Sequence, residues 1–426
     1  MPARAASSPP LAVANIILSM GLLAAGNGVL FAYIPLKLAF EGFAPWVAGT
    51  MITALAAGGI GGCLLTGALV RRVGHARVFA AMVALVILGV LVIALGTQPL
   101  IWILSRGIYG FAMTSVFIVS QSWLNDACEN AWRGKVIAIF YMTYVMAIGA
   151  GGYVLKFVSL ETLDGPLLGI LFATLAILPV SLTRLRTPAP PESVTIAVAA
   201  VWRISPVGFL GLLTVGGLTM LVAGFAPIYA AAEGYAKEDI ALLLFLMQFG
   251  MIGVQYPLGA LSDRMDRRYV LIVAAAIVIA SASLATQMSG VALMWLILVF
   301  AIWSGATESI YAIANAHAND RAEPQYYVSL SSTLLVAWSI SGFVLPGIAT
   351  ALTQVFGLKA FMYVAMVAAG LYGAFVIYRV TRREPAPSAT HEPYLPITAQ
   401  VPYTAEMGPQ AHPQPSEEPG HPGDRS

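Results

Sequence analysis

Charge is what this sequence has least of. Only 10% of its 426 residues are Asp, Glu, Lys or Arg, against 59% hydrophobic, and the mean hydropathy is +0.82. Such a chain has too little polar surface to cover a soluble globule of its size, so the composition requires an integral membrane protein. The formal net charge of +2, with basic residues scattered in small clusters, leaves no patch for a nucleic acid or an acidic substrate. Cysteine is almost absent. Cys63 stands in an apolar run and Cys128 in a loop, so they are poorly placed to meet; no disulfide is expected, and both thiols read as inert packing residues. There is no Gly-Lys loop to cradle a phosphate and no pair of histidine ligands inside a span. These absences weigh against a nucleotide-driven pump and a membrane-embedded enzyme, and no cofactor or metal is expected.

What the chain does have is long apolar runs. A hydrocarbon core of about 30 Å needs about 20 residues of helix, and windows of that length recur over Leu11–Leu36, Trp46–Val70, Val78–Leu95, Leu100–Leu124, Val136–Phe157 and Pro166–Leu182. A second set covers Pro206–Tyr229, Ile240–Leu261, Val270–Met288, Val291–Asn315, Val328–Leu352 and Lys359–Tyr378. The expected fold is all-α: twelve transmembrane helices in two six-helix halves. The first run lacks a small-residue cleavage site at a suitable distance, so it reads as a retained span and not a removed signal peptide. The organisation expected is a cytoplasmic N-terminus (1–10), a first half (11–186), a Pro-rich cytoplasmic linker (187–205), a second half (206–383) and a disordered cytoplasmic tail (384–426), whose composition cannot bury enough apolar area to fold. The tail histidines His391, His412 and His421 are too dispersed to form a metal site.

Orientation follows from the basic residues. With the N-terminus inside, one set of loops holds Arg4; Arg71, Arg72 and Arg77; Arg133 and Lys135; Arg184, Arg186 and Arg203; Arg264, Arg267 and Arg268; Arg321; and Arg379, Arg382 and Arg383. The opposite loops hold only Lys37, Lys156, Lys237 and Lys359. This bias places both termini in the cytoplasm of a cell bounded by an inner membrane.

An internal repeat links the halves. Gly67, Arg71 and Arg72 sit between spans two and three as Gly259, Asp263 and Arg264 sit between spans eight and nine, 192 positions on. Asn125-Asp126 after span four and Asn319-Asp320 after span ten lie 194 positions apart. Two landmarks with nearly one offset argue for duplicated, pseudo-symmetric halves, and in transporters such repeats place the substrate path at the interface between them.

The tight, basic turn Gly259, Asp263, Arg264, Arg267, Arg268 resembles the loop signature of the major facilitator superfamily of transporters. Gly74, His75, Arg77, Phe79 and Ala80, then Ser122, Trp123, Leu124 and Asn125, then Tyr311 with Ala316, His317, Ala318, Asn319 and Asp320, resemble the YcaD-like branch of that superfamily. The resemblance covers residues 11 to 383 and implies the major facilitator fold and transport by alternating access, without naming a cargo. It also implies a gating role for Gly259, Asp263, Arg264, Arg267 and Arg268 and for the first-half copy Gly67, Arg72 and Gly74. That copy has Arg71 where the superfamily pattern has an acid, which weakens its claim to gate. By analogy Asp263 latches the outward-open state; topology alone would also account for the basic loop. Arg106 and Gly110 resemble the core of a motif associated with proton-driven antiporters, but span five lacks the Gly-Pro pair that accompanies it, so import and export both remain open.

Candidate path residues follow from the cost of polar groups in lipid. Arg106 lies in span four, where a charge near the bilayer centre costs roughly 2.5–3.5 kcal/mol on insertion scales. It contacts an anion or carboxylate, partners a proton site electrostatically, or snorkels outward near the periplasmic end. Glu308 is the one acid deep in any expected span, and Ser304, Glu308, Tyr311 and Asn315 share one helical face. That stripe must face the bundle interior or a wet cavity, since lipid offers no partners, and a carboxyl that alternately meets water and an apolar seal can carry a coupling proton. A structural network between helices is the plainer reading. Asn27, Tyr141, Tyr144, Gln248 and Gln255 either line the path or act as interhelical glue and belt residues.

The expected function is therefore secondary active transport of a small organic solute or drug-like compound, with proton coupling, by a monomer in the bilayer; one chain already contains both halves of a path. A non-transporting sensor or scaffold that keeps the fold is the alternative.

Overall fold

A computed structural model describes residues 9–96, 98–128, 130–183, 196–382 and Ile397. The N-terminal segment with Arg4, most of the linker with its prolines and Arg184 and Arg186, and the tail from Arg383 with its three histidines, Ile397 apart, lie outside the described residues.

Among these residues the chain forms thirteen α-helices and no strand. In lipid each backbone N–H and C=O must be paired within its own segment, so apolar runs of this length close into helices. The first six are α1 (Pro9–Phe40), α2 (Pro45–Val73), α3 (His75–Ala94), α4 (Pro99–Ala127), α5 (Asn130–Val154) and α6 (Asp164–Leu182). The short α7 (Val198–Ile204) follows, and then α8 (Pro206–Ala232), α9 (Lys237–Ser262), α10 (Arg267–Ala285), α11 (Leu293–Asn319), α12 (Tyr327–Phe356) and α13 (Ala360–Val380). Twelve of them, all but α7, are long and apolar enough to cross a membrane. Several overrun the runs read from hydropathy: α2 continues through Arg71 and Arg72 to Val73, because a helix extends unbroken into the headgroup layer where its charges are hydrated. Only Gly74 separates α2 from α3; its φ of +85° is a conformation that a side chain disfavours, and it makes the sharp turn.

Each half is knitted in the same order. In the first, α1 packs on α5 and α6, α4 on α2 and α3, and α3 on α6; in the second, α8 packs on α12 and α13, α11 on α9 and α10, and α10 on α13. Every pairing of the first half recurs in the second, which makes the halves pseudo-symmetric. Across the seam α2 meets α12 and its counterpart α5 meets α9, while α1 meets α8.

The glycine cluster of α5 serves both contacts. A Cβ at Gly151 would collide with the backbone of Ala25 in α1, whereas one at Gly149 would stand 3.0 Å from Gln248 Cγ of α9, in the other half. Small residues let these helices approach closely where apolar lipid supplies no drive to associate.

The seam is tight at the end of the bundle away from α1's start and α13's end. There Gly49 abuts Thr350, Gly224 abuts Ile52, a Cβ at Gly347 would lie 3.6 Å from Thr53 Cγ2, Tyr153 meets Phe245 at 5.2 Å between ring centres, and the Lys237 ammonium donates to the Val158 carbonyl at 2.7 Å.

Candidate functional site

A cavity opens midway along the seam. It has about 1220 Å³ of empty space, its mouth included, and its walls come from both halves. From the first half come Asn27 and Phe31 of α1, Gly59 of α2, Tyr109, Thr114 and Phe117 of α4 and Tyr144 of α5; from the second come Thr219 of α8, Gln248 of α9, Ser304 of α11 and Trp338 and Ser339 of α12. The walls are aromatic with a few amides and hydroxyls, the composition of a small-molecule site. Among the described residues that line it, none is an acid or a base.

Of the residues singled out in the sequence, Asn27, Gly110, Tyr144, Gln248 and Ser304 line this cavity. The Tyr109 hydroxyl donates to Asn27 Oδ1 at 3.0 Å, and Phe117 meets Tyr144 edge-on at 4.8 Å, which fixes the first-half wall. Tyr141 is buried but does not line the cavity; its ring packs edge-on against Phe140.

Arg106 sits one ring behind the wall. It is 5% exposed, and its guanidinium carbon lies 4.6 Å from the Tyr109 ring centre and 5.6 Å from that of Phe31. Snorkelling is therefore not its conformation here. Two cation–π contacts, about 0.5–2 kcal/mol each, offset part of the insertion cost, yet Nη1 is buried with no hydrogen-bond partner among the described residues. A second buried donor without a partner, Trp338 Nε1, belongs to a lining residue. The spacing of Arg106 and Tyr109, three apart on one helix, is a sequence signal for their contact.

Glu308 is 1% exposed and accepts a 3.1 Å hydrogen bond from Thr219 Oγ1. Thr219 lines the cavity and Glu308 does not, so the carboxyl stands one side chain back from it. The expected stripe is buried throughout, at Ser304, Glu308, Tyr311 and Asn315; only Ser304 reaches the cavity. Asn315 instead donates to the Tyr311 carbonyl within its own helix. Thr219 was not foreseen, because a lone threonine in an apolar run carries no signal of its partner.

Gln255 also lies away from the cavity. Its Nε2 donates at 2.6 Å to the carbonyl of Ile397, a tail residue only 5% exposed. At that position the tail does not stand clear of the bundle, as a wholly disordered one would.

The basic turn forms a charge cluster at the α9–α10 junction. Asp263, its side chain 39% exposed, approaches Arg267 at 3.7 Å. The buried pair is Arg267 with Asp320, both side chains 1% exposed: Arg267 Nε donates at 2.7 Å and Nη2 at 3.4 Å to the two carboxylate oxygens, joining α10 to the end of α11. In the sequence Asp320 marks the repeat and the branch resemblance, with no sign of this pair. Arg268 clamps Asp266, the residue that caps α10, with bonds of 2.6 to 3.1 Å. Burial pushes the Asp266 carboxyl up, but the hydrogen bonds and charge of Arg268 outweigh it and hold the group below the ordinary carboxylate value. Gly259 and Ser262 are buried at the end of α9, and Arg264 lies in the turn.

At the matching corner of the first half, His75 stands 192 positions before Arg267. Its Nε2 lies 3.0 Å from Ser122 Oγ, and its ring and that of Phe79 pack on Trp123. The two first-half stretches that carry the branch resemblance thus meet as one contact between α3 and α4. Gly67 belongs to the last turns of α2 and Arg72 is exposed. Both cysteines are buried and unpaired, and burial pushes the Cys128 thiol up to about 11 against the pull of Arg133, which leaves it unreactive near neutral pH.

Comparison with known proteins follows this geometry. A family model described as the Major Facilitator Superfamily matches residues 207–407. The uncharacterized MFS-type transporter YcaD of Salmonella newport (strain SL254) is 25% identical over 339 residues, covering 78% of this chain and 86% of the relative. That of Shigella flexneri is also 25% identical, covering 79% and 87%. Among solved structures, the nucleoside transporter NupG superposes with a TM-score of 0.68 at 12% identity, over 89% of this chain and 100% of that one. The human organic anion transporter MFSD10 (TETRAN) superposes with a TM-score of 0.60 at 15% identity, over 86% and 99%. Twelve spanning helices in paired halves, hollow at the seam, give this chain the major facilitator fold of a multi-pass membrane protein, and the family model and relatives it matches support a membrane transporter. In sequence it resembles the YcaD-type transporters of the major facilitator superfamily.

Proposed function

We propose that the chain is a secondary transporter that moves a small organic or drug-like solute by alternating access through the seam cavity, driven by a proton gradient. The observation that carries this reading is the cavity itself: both halves wall it, and they meet tightly at one end of it. Rocking one half against the other about such a cavity exposes it to each side in turn. Among the described residues the arginine-bearing loops lie at the end where α1 starts and α13 ends, which supports an inner-membrane orientation with both termini cytoplasmic; the conformation described here is then the one sealed on the outer side.

Glu308 is the proposed proton carrier. It is the one acid deep in a span, it stands behind Thr219, and solvent entering the cavity meets that hydroxyl first. Trp338 lines the cavity with a buried N–H, and the Arg106 charge stands one ring behind the wall, so a solute bearing a carboxylate or similar anion on a flat apolar body suits the site. The loop cluster from Gly259 to Arg268, and Gly67, Arg72 and Gly74, are assigned to gating and topology at the cytoplasmic ends.

The test is transport in proteoliposomes after a thermal-shift screen finds a solute. Wild type should accumulate it under a pH difference alone. Glu308→Gln should bind it and exchange it across the membrane, yet lose accumulation. A Glu308→Gln protein that still concentrates solute under that pH difference would falsify the proton assignment, and binding without any movement by wild type would make the chain a sensor.

A further inference from the structure

Basic residues are scarce at the end of the bundle where the seam is tight, and the four lysines there, Lys37, Lys156, Lys237 and Lys359, run against the charge bias of the loops. Their contacts show what each one holds. Lys37 donates at 2.8 Å to the Leu160 carbonyl and pairs with Glu41 at 2.6 Å, all within the first half. Lys359 donates at 2.8 Å to the Thr286 carbonyl and lies 2.9 Å from Ser289 Oγ, all within the second. Lys156 lies over the rings of Tyr153 and Phe157, its ammonium 5.8 Å from each centre. Among the described residues, Lys237 is the one of the four whose bond crosses between the halves: from the start of α9 its ammonium donates at 2.7 Å to the Val158 carbonyl.

The position of Lys237 is unfavourable within its own helix. It opens α9, where the dipole presents its positive end and where the next two residues, Glu238 and Asp239, are the acids such an end prefers. The contact across the seam offsets that cost. Val158 closes the 3-10 turn Leu155–Phe157 that continues α5, so its carbonyl lies at the negative end of that span, among those a helix leaves to an outside donor. Two residues further on, Lys37 fixes the receiving loop to α1 through Leu160, so a pull on Val158 is a pull on the first half. Below the bond the seam is apolar: Phe245, about two turns along α9, meets Tyr153, and a Cβ at Gly152 would stand 3.6 Å from Leu244 Cβ. The bond itself is wet. Lys237, its side chain 25% exposed, lines an open hollow of about 680 Å³ together with Lys156 and Glu161, so both partners are hydrated when the bond breaks. The neighbouring Glu238 carboxylate stands farther off, at 3.7 Å.

From this arrangement we infer that Lys237 is the latch of the outer gate: its bond to the Val158 carbonyl holds the outer ends of the two halves together while the cavity faces the cytoplasm, and it must break before the outer end opens. The inference rests on the alternating-access reading above. Lys37 and Lys359 staple loops inside single halves, so their bonds survive the motion. One hydrated bond from an ammonium to a carbonyl biases such an equilibrium by about tenfold, enough to favour the closed outer end and weak enough to reverse in every cycle.

The experiment uses the full-length protein in lipid nanodiscs, with Cys63 and Cys128 replaced by serine and no solute added. Spin labels on cysteines placed at Leu95 of the first half and Phe356 of the second, both exposed at the outer end, report the separation of the halves by pulsed electron resonance. The parent protein is compared with Lys237→Met, Lys237→Gln, Lys237→Arg and the control Lys359→Met. In the Met and Gln variants the ratio of outer-open to outer-closed molecules should rise about tenfold. Lys237→Arg, which keeps a charged donor of similar reach, should restore most of the closed population, and Lys359→Met should match the parent. A distance distribution in Lys237→Met identical to the parent's overturns the inference. So does an equal shift in Lys359→Met, since the loss of any outer lysine would then explain it. Should the Met variant fail to fold, the Gln variant decides. Because no solute is needed, this result is separate from the transport test: shifted distances without transport keep the latch and remove the transport reading, whereas transport with unshifted distances does the reverse.

Discussion

At the scale of single residues, the polar groups of this protein divide into those whose partners lie on the same helix and those whose partners lie far along the chain. Arg106 is of the first kind in its contact with Tyr109, and its position within a span was enough to mark it. What hydropathy did not disclose is that its head lies between two aromatic rings with one donor unused. If that donor serves a solute anion, Arg106→Lys should weaken binding about tenfold or more despite the retained charge, because a compact ammonium cannot reproduce the planar fork or its stacking. Binding isotherms decide the point; equal affinity in the Lys and Ala variants would leave Arg106 a packing residue. Glu308 is of the second kind. Its burial was legible, since an acid within an apolar run has nowhere else to go, but Thr219, 89 positions away, was not.

At the scale of elements, the junctions carry the strongest electrostatics. The Arg267–Asp320 pair is buried on both sides, so Asp320→Asn should destabilise the protein by about 3–5 kcal/mol by stranding a buried guanidinium. Asp263→Asn removes a looser contact with a partly exposed side chain and should cost no more than about 1 kcal/mol. Thermal unfolding in one detergent should rank the two variants in that order, and the reverse order would return the principal role to Asp263. The α10 cap has a pH signature as well. Because Asp266 is held below its ordinary value of 3.8, its contribution is present in full above that value and is lost as pH falls through the lower folded one. Amide exchange in the first turn of α10 should therefore lose protection, relative to the other helix starts, as pH is lowered from 5 toward 3. Asp266→Asn should abolish that pH dependence.

At the scale of the molecule, alternating access requires the seam to open where it is now tight. Thr53 and Gly347 face one another across α2 and α12, where a Cβ at Gly347 would lie 3.6 Å from Thr53 Cγ2. With Cys63 and Cys128 replaced by serine, a Thr53→Cys, Gly347→Cys pair should cross-link under mild oxidation, stop transport and recover it on reduction. Full transport by the oxidised, cross-linked protein would refute the rocking motion.

The sequence by itself determined the twelve spans, their sidedness bias and the duplicated halves, because each rests on local physics: helix length against bilayer thickness, charge in loops, and landmarks at a fixed offset. It also marked Asn27, Tyr144 and Gln248, which the cavity shares, since polar side chains in lipid must turn inward. It could not separate them from Tyr141 or Gln255, which look alike in a window of sequence and end away from the cavity. Which face of each helix meets the seam depends on how α2 lies on α12 and α5 on α9, contacts between positions such as 149 and 248 or 53 and 347 that carry no local mark. The tertiary structure alone brought Asp320 to Arg267, Thr219 to Glu308 and Lys237 to the Val158 carbonyl. Pairing across a bundle is set by packing, and packing is a property of the whole chain.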